Sequence, residues 1–107
     1  MFGRSKNAVD VSTAHDMAAQ DGYTIVDVRT VGERRQGHPP GSIHIELQTI
    51  PENLDRLRDT KVLAFCRSGN RSNQAAKFLT ANGIEAMNVK GGVVAWQRAS
   101  LPLTKGS

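Results

Sequence analysis

The stretch Val62-Leu63-Ala64-Phe65-Cys66-Arg67-Ser68-Gly69-Asn70-Arg71-Ser72 decides how the chain is read. Its first four residues are apolar, and a short apolar run bounded by turn residues fits a buried strand. The next four, Arg67-Ser68-Gly69-Asn70, are small or polar and include Gly and Asn, which tolerate left-handed backbone. Ala75, Ala76 and Leu79 then share one helical face until Asn82-Gly83, which predicts a helix over residues 72–81. A strand that feeds a helix through a polar loop is the unit of an open parallel sheet, where ligands bind beyond the carboxyl ends of the strands. Cys66 stands at such an end.

Outward from this unit, further apolar, β-rich runs occupy residues 24–28, 42–45 and 84–89. Ser12 or Thr13 can cap a first helix that runs towards Gln20 and stops at Asp21-Gly22. Thr49 and Glu52 have capping-box spacing, and Ile50, Leu54 and Leu57 follow on one face. A last short helix is expected over residues 93–99, entered through Gly91-Gly92 and ended by Pro102. Strands alternating with helices predict an α/β fold with a central, largely parallel sheet flanked by helices. The 107 residues fit one domain over 1–107 with one core, spanning about residues 9–103. There is no internal repeat, low-complexity tract or linker.

Hydrophobic residues at 38% and charged residues at 22% are the balance of a soluble globular chain. The longest apolar runs are of strand length, far below the roughly 18 residues of a membrane helix, so no membrane partner is expected. Residues 1–6 are basic but lead into no apolar segment, and a cytoplasmic location is therefore the default expectation. The net charge of +4 resides entirely in residues 60–84, where Lys61, Arg67, Arg71 and Lys77 face no Asp or Glu in the sequence. No long Lys/Arg run or aromatic stacking pattern accompanies it, which argues against nucleic acid. A single Cys allows no internal disulfide. His15, His38 and His44 are scattered without metal-ligand spacing, so neither metal nor cofactor is expected.

Cys66 is then a free thiol to be explained. A lone Cys is more often a buried core residue, and a polar strand-to-helix loop is often only a connection. Two arginines with no acid beside them tilt the balance. Successive N–H groups of such a turn can form an anion-holding nest, backed by the positive end of the following helix. The same field favours thiolate over thiol, which predicts a nucleophile at neutral pH without a neighbouring base. None of the three His residues lies in the loop.

Taken together, Cys66-Arg67-Ser68-Gly69-Asn70-Arg71-Ser72 resembles the active-site loop of the rhodanese family. Asp27-Val28-Arg29 with Glu33, then Gly37-His38 and Gly41-Ser42-Ile43-His44-Ile45, look like the family's amino-terminal signature. Gly91-Gly92-Val93-Val94-Ala95-Trp96 looks like the carboxyl-terminal one. The resemblance implies a single rhodanese domain without a fused partner and a thiosulfate sulfurtransferase activity. In that chemistry Cys66 takes the outer sulfur of a small anionic donor such as thiosulfate, becomes a persulfide, and passes the sulfur to cyanide or a thiol, including a thiol on a partner protein. The backbone from Arg67 through Ser68, Gly69, Asn70 and Arg71 to Ser72 would hold donor or persulfide. Arg67 and Arg71 would attract the donor, with Arg71 equally suited to bracing the loop. Asp27 would support the loop from beneath. Arg29 and Glu33, four apart, are expected to pair with each other, and His38 and Trp96 to be structural.

The chain departs from the family pattern at Arg34, where an aromatic often follows the Glu, and at Pro39-Pro40. Two other readings share the fold. A related phosphatase family has five residues between Cys and Arg, whereas four separate Cys66 from Arg71. A binding or sulfur-carrier module without turnover is the second; inactive members typically lose the cysteine that this chain keeps.

Overall fold

The computed structural model describes residues 7–107; the basic stretch over residues 1–6 lies outside them. In chain order the elements are β1 (Ala8–Val9), α1 (Val11–Gln20), β2 (Tyr23–Asp27), α2 (Val31–Gln36), β3 (Ile43–His44), a 3-10 stretch (Leu47–Asn53) running into α3 (Leu54–Leu57), β4 (Lys61–Phe65), α4 (Asn70–Ala81), β5 (Glu85–Val89) and α5 (Gly92–Arg98). The strands form one parallel sheet in the order β1-β5-β4-β2-β3. This is the expected α/β fold. From β4 the chain crosses by α4 to β5 on one side, while from β2 it crosses by α2 to β3 on the other. The adjacent pair β2 and β4 is therefore the switch point of the sheet, and a crevice opens beyond its carboxyl ends.

Side chains of a strand alternate between faces, and the core divides accordingly. Val26, Val62 and Ala64 pack on one face against Ala75, Ala76 and Leu79 of α4 and against Ile50 and Leu57. Ile25, Leu63 and Phe65 face the other way, onto Val11, Ala14 and Met17 of α1 and Trp96 of α5. β4 is buried on both faces, as a central parallel strand requires. The Trp96 indole N–H donates to the Pro102 carbonyl at 2.8 Å, and the His38 N–H bonds Thr104 O at 2.9 Å. Both side chains are buried, and His38 Nδ1 lies 2.9 Å from Arg34 O. No helix among the described residues is long and apolar enough to cross a membrane.

Three local expectations are corrected. The cap of α1 is Asp10, whose carboxylate accepts from Thr13 N at 2.8 Å, because β1 ends at Val9 and the chain turns there rather than at Ser12 or Thr13. Thr49 and Glu52 form no capping box: the Thr49 hydroxyl donates to Glu46 O at 2.8 Å. Pro51 lacks the N–H an α-helix needs there, so this segment runs as 3-10 turns before α3. The capping box is instead Thr30–Glu33, which starts α2.

Asp27, at the end of β2, is fully buried. Its carboxylate accepts from Arg29 Nε at 2.8 Å and Nη2 at 2.9 Å, and lies 3.4 Å from Arg34 Nη1. Arg34, where the family pattern often has an aromatic, is itself buried and reaches Ser42 Oγ at 3.1 Å and Ser42 O at 2.8 Å. The Arg29 guanidinium lies over the Phe65 ring, 5.3 Å from its centre. Among the described residues, no buried side-chain nitrogen or oxygen lacks a partner. A buried charge cluster is tolerated only when so fully bonded. It fixes the turn beyond β2 against the end of β4.

Candidate active site

The loop that follows β4 bends under its own thiol. Gly69 takes a positive φ of 107°, a conformation that side chains with a Cβ rarely adopt. That turn points the Gly69 N–H at Cys66 Sγ, 3.1 Å away, while Ser72 brings its N–H to 3.4 Å and its hydroxyl to 3.1 Å. The sulfur thus occupies the nest the sequence predicted, at the amino end of the 12-residue helix α4.

The carbonyl side of the loop is held as firmly. The first turn of α5 presents its unpaired N–H groups outward: Val93 N donates to Cys66 O at 2.9 Å and Val94 N to Arg67 O at 3.2 Å. With these carbonyls tied to α5, the amides that follow are turned inward to the sulfur. Gly92 is what permits the approach. A Cβ there would lie 2.2 Å from Cys66 O and 2.6 Å from Arg67 O.

Burial pushes the Cys66 thiol towards its neutral form, but hydrogen bonds from the Ser72 hydroxyl and the Ser72, Gly69 and Ser68 amides outweigh it. The thiol is held below its ordinary pKa. These donors stabilise negative charge on sulfur, whether on a thiolate or on a sulfur atom attached to it.

The arginines divide their roles. Arg71 makes a two-pronged pair with Glu33 of α2, Nη1–Oε1 and Nη2–Oε2 both at 2.8 Å. It braces the loop against α2. Glu33 therefore does not pair with Arg29, which lies before the Thr30 cap and off the helix, so the four-residue spacing never puts them on one face. Arg67 is exposed. It lines a cleft of about 230 Å³ with Glu33, Gln36, Val94 and Gln97.

Asp27 does not support the loop directly as expected: its oxygens serve Arg29 and Arg34. Ser68 and Asn70 are exposed at the rim. Sequence reasoning missed Asn88, near the end of β5. It is buried and accepts a hydrogen bond from the Ser72 hydroxyl through Oδ1. Its only signal was a polar residue between the apolar Met87 and Val89 of the strand.

The Arg71 bridge draws the Glu33 carboxyl down to about 2, against burial that acts the other way. A carboxyl lowered on folding adds stability above its ordinary pKa and loses it as pH falls through the lowered one. Glu33→Gln is expected to destabilise the protein by about 1 kcal/mol at neutral pH, since the pair is partly exposed. The difference between variant and wild type should fade as pH falls from about 4.5 to about 2. Urea unfolding across that range checks it; a constant difference would mean the bridge contributes nothing electrostatic.

Comparison with known proteins accords with this geometry. Residues 10–99 match the family model described as a rhodanese-like domain. The chain belongs to the rhodanese-like family. Among its relatives, a sulfurtransferase of Allochromatium vinosum is 34% identical over 94 residues, covering 86% of this chain and 88% of the relative. The thiosulfate sulfurtransferase GlpE of Vibrio cholerae is 32% identical over 97 residues, covering 89% and 92%. The crystal structure of a rhodanese-like domain protein from Staphylococcus aureus superposes with a TM-score of 0.83 at 32% identity, covering 94% of this chain and 99% of the other. This rhodanese-like chain thus resembles sulfurtransferases in sequence and rhodanese-like proteins in fold.

Proposed function

We propose that the chain is a thiosulfate sulfurtransferase whose carrier is Cys66. The observation that carries the reading is the set of groups converging on a buried sulfur: the Gly69 and Ser72 N–H donors, with the Ser72 hydroxyl 3.1 Å away. The similarity to GlpE supports thiosulfate as a donor.

In the first step the Cys66 thiolate attacks the outer sulfur of thiosulfate. A Cys–S–S bond forms, the bond to the sulfonate sulfur breaks, and sulfite leaves with the electron pair. In the second, cyanide or a thiolate attacks the terminal sulfur and the Cys66 thiolate leaves. Thiocyanate is one product, a new persulfide the other, and the enzyme returns to its first state. No base is required, because the loop donors favour the ionised nucleophile and the leaving group carries its own charge. The loop amides of residues 67–72 stabilise the charge on the terminal sulfur, and exposed Arg67 draws the dianion to the cleft. Arg71 acts by keeping the loop in place.

The test is mass spectrometry of the protein after incubation with thiosulfate and then with cyanide. Cys66 is expected to gain one sulfur atom in the first incubation and lose it in the second, with stoichiometric thiocyanate. A persulfide that forms but yields no sulfur to cyanide or to any small thiol would favour the carrier reading; no mass gain with any sulfane donor would overturn both.

A further inference from the structure

The hydroxyl of Ser72 has one proton and two acceptors within reach. It lies 3.1 Å from Cys66 Sγ and donates to Asn88 Oδ1. Ser72 is wholly buried, so the two acceptors compete for its one proton, while Asn88 also borders an open cleft beside Ser68 and Lys90. While the sulfur is a thiol, the chain is consistent: S–H donates to Ser72 Oγ, and Ser72 donates to Asn88. Once the thiol proton has passed to solvent, the thiolate has only acceptor capacity and needs the Ser72 hydrogen. Ser72 Oγ is then left facing Asn88 Oδ1, oxygen against oxygen. An amide can end that conflict by turning to present its N–H face. No described residue accepts a hydrogen bond from Asn88 Nδ2, and an added Cβ on neighbouring Gly69 would still lie 3.6 Å from it, so the turn breaks no bond.

We propose that Asn88 is a positioning residue for the Cys66 thiolate, acting through Ser72 by turning its amide as the sulfur ionises. The side chain is placed by sheet register, since Asn88 pairs with Ala64, close to the end of the strand that leads to Cys66. Only an amide at this place matches both states of the sulfur. A carboxylate would accept in both, holding the Ser72 proton away from the thiolate. The other charged groups around the sulfur are already engaged or stand outside. Arg71 of α4 pairs with Glu33 of α2, Asp27 of β2 is tied to Arg29 and Arg34, Arg67 is exposed, and Lys90 beyond β5 lines the outer side of Asn88.

The inference rests on Cys66 being the ionised nucleophile of the proposed reaction, but its test needs no sulfur donor. The rate of Cys66 alkylation by iodoacetamide is measured against pH in wild type, Asn88→Asp, Asn88→Ala, Ser72→Ala and the Ser72→Ala/Asn88→Asp double variant. Asn88→Asp is expected to raise the thiol pKa, slowing alkylation at neutral pH about tenfold. Asn88→Ala, which removes the competing oxygen together with the N–H that would face Ser72 Oγ, is expected to raise it much less than Asn88→Asp. In the Ser72→Ala background the Asp substitution should lose most of its effect. An equal effect of Asp in both backgrounds would reduce Asn88 to a charge acting through space and overturn the proposal. So would a rise of similar size in Asn88→Ala, the mark of a merely structural role. Thermal melts confirm that each variant is folded. Normal alkylation with no sulfur transfer would sink the enzyme reading alone, whereas normal transfer with additive variants would sink this one alone.

Discussion

Cys66→Ser is expected to abolish thiosulfate-dependent thiocyanate formation, by about 10⁴-fold or more, while leaving the fold intact. The substitution changes one atom in a site with 1% exposure, and the smaller hydroxyl can accept from the Gly69 N–H and donate to Ser72 Oγ as the thiol does. Stability should therefore move little. Activity should not survive, because those donors ionise a thiol but fall far short of ionising an alcohol, and oxygen does not form the S–S link on which transfer depends. In wild type the pH profile carries the same logic. With its pKa lowered by the Ser72 and loop donors against the opposing effect of burial, the thiol ionises at a lower pH than an ordinary cysteine. The first step should decline as pH falls through that lowered pKa and level off above it. Thiocyanate release in Cys66→Ser above about a hundredth of the wild-type rate would mean that transfer does not pass through this sulfur.

Gly92→Ala is expected to cost about 3 kcal/mol or more, with a fall in Tm of about 12 °C or more for a domain of this size. The methyl would meet Cys66 O at 2.2 Å and Arg67 O at 2.6 Å, both backbone atoms that no rotamer change can move aside. A φ of 50° adds strain for any residue with a Cβ. To relieve the clash the protein must part α5 from the loop, losing the bonds from Val93 N and Val94 N to the two carbonyls. The amides facing Sγ then lose their alignment, so the variant should show a raised Cys66 pKa as well as a lowered melting temperature. Gly32→Ala is the control: it adds the same methyl in α2 where no atom lies within 4 Å. Equal melting of the two variants would mean that close approach at Gly92 is not needed.

The fold was legible because its signals are local. The strands at residues 24–28, 42–45, 62–65 and 84–89 came within a residue or so of their observed limits, since each is an apolar run stopped by a turn. The loop was legible for the same reason, down to the inward amides and the helix that backs them. What escaped depended on distance in the sequence. Arg71 pairs with Glu33 across 38 residues and Ser72 with Asn88 across 16, partnerships that exist only once β2, β4 and β5 are in register. Helix α2 is six residues of mixed polarity with a Gly, too short and too polar for periodicity to declare it. Missing its start at Thr30 is what assigned Glu33 to Arg29. Asp27 was placed at the right edge of the sheet but given the wrong task, because the sequence does not show that Arg34 turns inward to join it.

The bonds from Val93 and Val94 to the carbonyls of Cys66 and Arg67 also set an order of events in biosynthesis. Emerging from a ribosome, the cysteine precedes its clamp by 27 residues, so the loop is complete in sequence well before anything can hold its shape. Until the last helix docks, the nascent thiol is an ordinary one, mostly protonated and no more prone to pick up sulfur or oxidant than any exposed cysteine. Docking of the last helix completes the clamp, and a chain cut short before Gly92 would carry every residue of the loop without the two bonds that hold its carbonyls.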